Sequence, residues 1–152
     1  MLFTTHGQAL EYRKRLSQTG AGAAFGVDAT TFDSWLADAW ELYGDGRTIA
    51  SPLDRSFAVR QLLLEAPELS TLKLTDGGIS LVCRFLADAL GSAQLEKSLV
   101  DPPAGLSLQE QAALLLVALY RDSLDARGLV DPGDALRALA PVCPPCSFLQ
   151  DE

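Results

Sequence analysis

Thr31-Phe32-Asp33-Ser34-Trp35-Leu36-Ala37-Asp38-Ala39-Trp40-Glu41-Leu42-Tyr43-Gly44 decides the fold class. Phe32, Trp35, Leu36, Ala39, Trp40 and Tyr43 recur at the three-and-four spacing of one helical face. Thr31 can cap the start, Asp33 suits the first turn, and Gly44 ends the helix. Four aromatics on one stripe predict a core-facing helix, with Trp35 and Trp40 packed inward rather than offered to nucleic-acid bases. The acids Asp33, Asp38 and Glu41 then fall on the solvent side.

Outward from this helix the pattern stays helical. Ser51-Pro52-Leu53-Asp54 opens a second helix with a capping carboxylate and proline at its first position. That helix is expected to use Leu53, Phe57, Leu62 and Leu64 and to stop before Pro67. Thr75 or Asp76 starts another, burying Leu81, Val82, Phe85, Leu86, Ala89 and Leu90 and stopping at Gly91. Cys83 lies beside that face as a small core residue. Residues 92–105 have no clear pattern, and Asp101-Pro102-Pro103 breaks any helix there. Ser107-x-x-Glu110 launches a long helix through Ala112, Leu115, Leu116, Leu119, Tyr120 and Leu124, and Gly128 fits past its end. Asp131-Pro132 starts a last short helix with Leu136 and Leu139, which Pro141 stops.

Toward the N-terminus, Leu2 to Thr4 and Val27 to Thr30 read as short strands around a helix from Gly7 to Ser17. Gly20 to Gly26 reads as a loop. A strand–helix–strand order favours a parallel pair. The fold expected is mainly α: a single helical domain of about six helices, with room for two short parallel strands near the N-terminus.

Composition sets the outer bounds. The 152 residues are 48% hydrophobic and 21% charged, enough for one core and far from a disordered composition. No apolar run approaches the ~20 residues of a membrane span, and Met1-Leu2-Phe3 is no signal peptide. A cytoplasmic location is the default expectation. The net charge of −8 opposes free-standing nucleic-acid binding, which draws on clustered Lys and Arg. The one basic cluster is Arg13-Lys14-Arg15.

Chemical motifs are sparse. No Gly-x-x-x-x-Gly-Lys-Ser/Thr loop, Gly-x-Ser-x-Gly elbow or His-Glu-x-x-His helix occurs. His6 is the lone histidine and reads as structural or exposed. Cys143 and Cys146 have the two-residue spacing of zinc and redox pairs. Further ligands are remote in sequence, so two thiols in a frayed Pro-rich tail is the simpler reading. Tyr43-Gly44-Asp45-Gly46-Arg47 fits a tight turn better than an anion or metal loop. No catalytic residue, metal or cofactor is expected in this chain.

The order of Leu2-Phe3-Thr4-Thr5-His6, then Arg15-Leu16, Thr31-Phe32-Asp33-Ser34, Tyr120 with Leu124, and Leu129-Val130-Asp131-Pro132-Gly133-Asp134-Ala135-Leu136 resembles superfamily-one DNA helicases of the Rep, UvrD and RecB kind. The Trp35-to-Arg47 block looks like the amino-terminal half of AddB/RexB-like helicase–nuclease subunits. The resemblance implies three parts. Residues 1–30 would be part of a motor domain, 31–140 a helical insertion-type domain, and 141–152 a flexible Pro/Cys-containing tail. It implies that Thr5, His6 and Thr31 face a single-stranded DNA path, although His6 replaces the usual Asn and Asp33 the usual His. Asp131 and Asp134 match acids that look structural, as caps. The implied role is a structural DNA-path element of a double-strand-break repair machine, without catalysis of its own. Its partners would be other domains of a parent polypeptide or a partner subunit, with DNA bound only in the full assembly and no membrane. The competing reading is a stand-alone acidic module that presents a helix face to a protein.

Overall fold

The computed structural model describes residues 1–18, 29–72 and 75–142. The chain is mainly α, with seven α-helices and two pairs of very short strands among these residues. Element by element it runs β1 (Leu2–Phe3), α1 (His6–Gln18), β2 (Thr30–Thr31), α2 (Phe32–Tyr43), β3 (Thr48–Ile49), α3 (Pro52–Glu65), a 3-10 turn at Pro67–Leu69, α4 (Asp76–Ala89), α5 (Ala93–Val100), α6 (Leu108–Asp125), β4 (Leu129–Val130) and α7 (Pro132–Leu139). No helix among the described residues is long and apolar enough to cross a membrane.

Helix starts follow from local chemistry. Thr31, Thr75 and Ser92 each accept a bond from a backbone N–H one turn ahead. Ser51 with Asp54, and Ser107 with Glu110, form reciprocal capping boxes. These boxes make acid sensitivity predictable. The serine hydroxyl, then its backbone N–H, holds each of the Asp54 and Glu110 carboxyls below its ordinary pKa. Such a depressed pKa contributes stability above the ordinary carboxylate range, and the contribution is lost as pH falls through the lowered value. Ser107→Ala should therefore lower stability at neutral pH, by removing the cap and the carboxylate's partner together. In urea melts the gap from the parent should narrow in acid; a gap that widens on acidification would contradict the box.

β1 and β2 pair in parallel, Leu2 opposite Thr30 and Phe3 opposite Thr31. The second strand is thus centred later than Val27 to Thr30, and Val27, Asp28 and the Gly20–Gly26 loop lie outside the described residues. A second parallel pair, Thr48 with Leu129 and Ile49 with Val130, was not expected from sequence. Nor was α5, which occupies the patternless stretch after Ser92 and buries Leu95.

Two hydrophobic clusters result. The larger joins α3, α4, α5 and α6 around Val59, Leu69, Leu86, Leu116, Val117 and Tyr120, with Cys83 packed against its side. Burial pushes the Cys83 thiol pKa up. The smaller joins α2 to α7 through Leu36, Ala39, Trp40, Val130, Ala135 and Leu139.

Several faces differ from expectation. On α2, Trp40 is buried at 6% exposure and Trp35 packs partly against the small cluster, whereas Phe32 and Tyr43 are exposed. On α3, Leu53, Phe57 and Leu64 point outward, and the buried side chains are Ala58 and Val59. The three outward residues are spaced four and seven apart, so they share one face, opposite the small buried pair. Leu81 and Phe85 on α4, Leu115 on α6 and Leu136 on α7 are likewise exposed, while Ile79 and Val117 are buried.

Candidate functional site

Parallel pairing sends the residues after both strands of the first pair to one edge. Thr4 and Thr5 follow β1 and lead into His6, the first residue of α1; Thr31 ends β2 and caps α2. Two helix N-termini thus start from the carboxyl ends of neighbouring parallel strands, a geometry that favours anions. Thr5 accepts from the Gln8 N–H at 3.3 Å, and Thr4 donates to Gln8 Oε1 at 2.7 Å. Thr31 Oγ1 accepts from the Ser34 N–H at 3.2 Å and donates to Ser34 Oγ at 3.0 Å. The hydroxyls of Thr5 and Thr31 therefore serve as caps. The exposed His6 side chain lies at the same edge.

A cleft of about 470 Å³ opens along α1, lined by Phe3, Thr5, Gly7, Gln8, Glu11, Tyr12 and Arg15. Phe3 and Tyr12 form its aromatic wall, with ring centroids 5.3 Å apart. Arg13 and Lys14 are exposed, and Arg15 pairs with Glu11 at 3.3 Å. Across the edge, Phe32 lies 5.8 Å from the Trp35 ring, and Asp33 is exposed in the first turn of α2.

The second pair repeats the geometry: β3 leads into α3 at Ser51 and β4 into α7 at Asp131. Here a polar cluster that the sequence did not disclose lies behind the edge. Asp131 is 2% exposed. Its Oδ2 accepts from Arg55 Nε at 3.1 Å, Arg55 Nη2 at 2.8 Å and Tyr120 Oη at 2.8 Å, and its Oδ1 accepts from the Gly133 N–H at 2.9 Å. The capping expected of Asp131 is correct but incomplete, because the residue also ties α3 and α6 to α7. Asp134, expected as a cap, instead has both its oxygens bound by Arg121, which also reaches Glu96 at 2.5 Å.

Burial, and then the charge of Asp131 and the bond to it, raise the Tyr120 pKa well above its ordinary value. A raised pKa contributes stability below the ordinary tyrosine value and loses it as pH climbs beyond about 10. Tyr120→Phe should therefore flatten the alkaline fall in melting temperature, while removing about 1.5–3 kcal/mol at neutral pH. A variant whose alkaline profile parallels the parent would contradict this coupling.

A groove of about 570 Å³ lies outside the carboxyl ends of β3 and β4. It is walled by Phe32, Asp33, Leu36 and Ala37 of α2, by Ile49 to Pro52 and Arg55, by Ala87 of α4 and by Pro132 and Gly133. A smaller cavity of about 210 Å³ holds Arg47, Arg121 and Arg137, each already paired with a carboxylate. The Gly44-to-Arg47 stretch is the tight turn expected. Gly46 has φ +90°, and Asp45 accepts from the Arg47 N–H at 3.1 Å and pairs with its guanidinium.

No metal-binding group of three or more His, Cys, Asp or Glu residues occurs among the described residues, and Cys143 and Cys146 lie outside them. Nor do the acids of α2 gather into such a site; Asp33, Asp38 and Glu41 are solvent-exposed, as expected. No family model, curated protein or solved structure matches this chain.

Proposed function

We propose that the chain is a structural and DNA-path element of a larger helicase–nuclease of the AddB/RexB-like kind, acting in double-strand-break repair without catalysis of its own. The observation that supports this reading is the shared carboxyl edge of β1 and β2. Thr5, His6 and Thr31 leave there beside two helix N-termini and an aromatic-walled cleft that runs along α1 to Arg15. Helix N-termini favour backbone phosphate, and Phe3 or Tyr12 offers a face for a base. The chain's net charge of −8 makes the edge a contributor within an assembly, with other domains of a parent polypeptide or a partner subunit supplying most of the positive field.

Fluorescence anisotropy with a labelled oligothymidine at low salt tests this. Binding should be weak and salt-sensitive. His6→Glu, on an exposed side chain, should weaken it several-fold while leaving the melting temperature unchanged. Unaltered affinity in that variant removes the edge from the path. ATP or nuclease turnover above a mock preparation would overturn the non-catalytic part.

The second reading is an acidic protein-interaction module. It is favoured by the acidic, base-free exposed face of α2 beside an open apolar groove.

A further inference from the structure

The groove at the head of α2 borders the nucleic-acid edge at Phe32 but is otherwise separate from it, and its chemistry differs from that of the β1–β2 edge. We infer that it seats a bulky apolar anchor carried on a basic peptide segment of a partner protein. Phe32, Leu36, Ile49, Pro52, Ala87 and Pro132 make its walls largely apolar. Its polar groups are already satisfied internally: Ser51 bonds Asp54, while Arg55 and the Gly133 N–H bond Asp131. Pro52 and Pro132 have no N–H to offer. Little remains for a phosphate or sugar to bind, so affinity must come from apolar burial. The volume of about 570 Å³ is within the range of pockets that enclose compact apolar groups.

Position and charge narrow the occupant. The groove lies outside the carboxyl ends of two parallel strands, where the helices that follow diverge and crevices form in parallel sheets. Asp33 lines it, and Glu41 lies further along α2, a turn beyond Ala37. No basic residue occurs in α2. The exposed Arg84 and Asp88 flank Ala87 with opposite charges, and Arg55 is neutralised by Asp131. Among the lining side chains, Asp33 is the charge left without a partner. It repels a polyanion and, at a net charge of −8, a second copy of this chain, whereas a basic segment is drawn in.

The test titrates isotopically labelled protein, followed by amide NMR shifts, with a synthetic lysine–leucine peptide carrying one tryptophan at helical spacing. A peptide of the same composition in scrambled order serves as control, both at physiological salt. The expected result is saturable shifts at Phe32, Ala37, Ile49, Ala87 and Gly133, with the scrambled peptide bound at least about tenfold more weakly. Ala37→Trp, at an exposed position on the groove wall, should abolish those shifts while its melting temperature stays at the parent value. Asp33→Lys should weaken binding, and Leu53→Ser on the far face of α3 should not. Equal affinity for the scrambled peptide, shifts centred on Leu53, Phe57 and Leu64, or no saturable binding would each overturn the inference. None of these outcomes depends on whether DNA binds at the β1–β2 edge.

Discussion

Asp131→Ala is expected to destabilise the chain by about 3–5 kcal/mol, the cost of breaking a buried ion pair by removing one partner. The substitution leaves the Arg55 guanidinium, 15% exposed, without its carboxylate, and leaves the buried Tyr120 hydroxyl without an acceptor. It also removes the cap of α7. Because Asp131 stands between the α3–α6 core and the α2–α7 cluster, far-ultraviolet circular dichroism and tryptophan fluorescence should shift together in urea. Asp131→Asn, which keeps an acceptor for the Gly133 N–H, should fall between parent and alanine variant. A loss below about 1 kcal/mol for the alanine variant would show that the pair is no stronger than a surface bridge.

Trp40→Ala is expected to cost about 3–5 kcal/mol, through the cavity and the lost apolar contact. Trp40 packs with Leu36, Ala39, Val130, Ala135 and Leu139, and its Nε1 donates to the Arg47 carbonyl at 2.7 Å. That bond holds the turn after α2 against the helix. A Cβ on Gly44 would collide with the Trp40 carbonyl and indole, so this glycine is needed for close approach rather than for a positive φ. Gly44→Ala should therefore lower the melting temperature even though an alanine can adopt the backbone conformation there. A Trp40→Ala protein that melts like the parent but loses single-strand binding would show that the indole is a nucleic-acid surface.

Helix starts and stops were legible in the residues because capping is local chemistry. Thr31, Ser51 with Asp54, Thr75, Ser107 with Glu110, and Asp131 all act within three residues of themselves. Gly91 and Gly128 take positive φ where helices end. The faces were less legible. Helix α3 carries large apolar residues on both sides, and spacing alone does not choose Ala58 and Val59 over Leu53, Phe57 and Leu64. The β3–β4 pair joins Thr48 to Leu129 through strands too short to show alternation. The Arg55–Asp131 pair spans 76 residues, and no local pattern announces such a partner. At the candidate edge the sequence singled out Thr5, His6 and Thr31 but not the cleft beside them, which depends on Phe3 meeting Tyr12.

The central claim, that the β1–β2 edge is a single-strand path, is tested most directly by titrating isotopically labelled protein with an oligothymidine at low ionic strength. The predicted result is amide shifts concentrated at Thr5, His6, Gly7, Thr31 and Phe32, with smaller changes at Tyr12 and Arg15, all fading as salt screens the phosphates. Shifts that spread over α3, α4 or α6 while those residues stay silent, or no shifts at all, would contradict it.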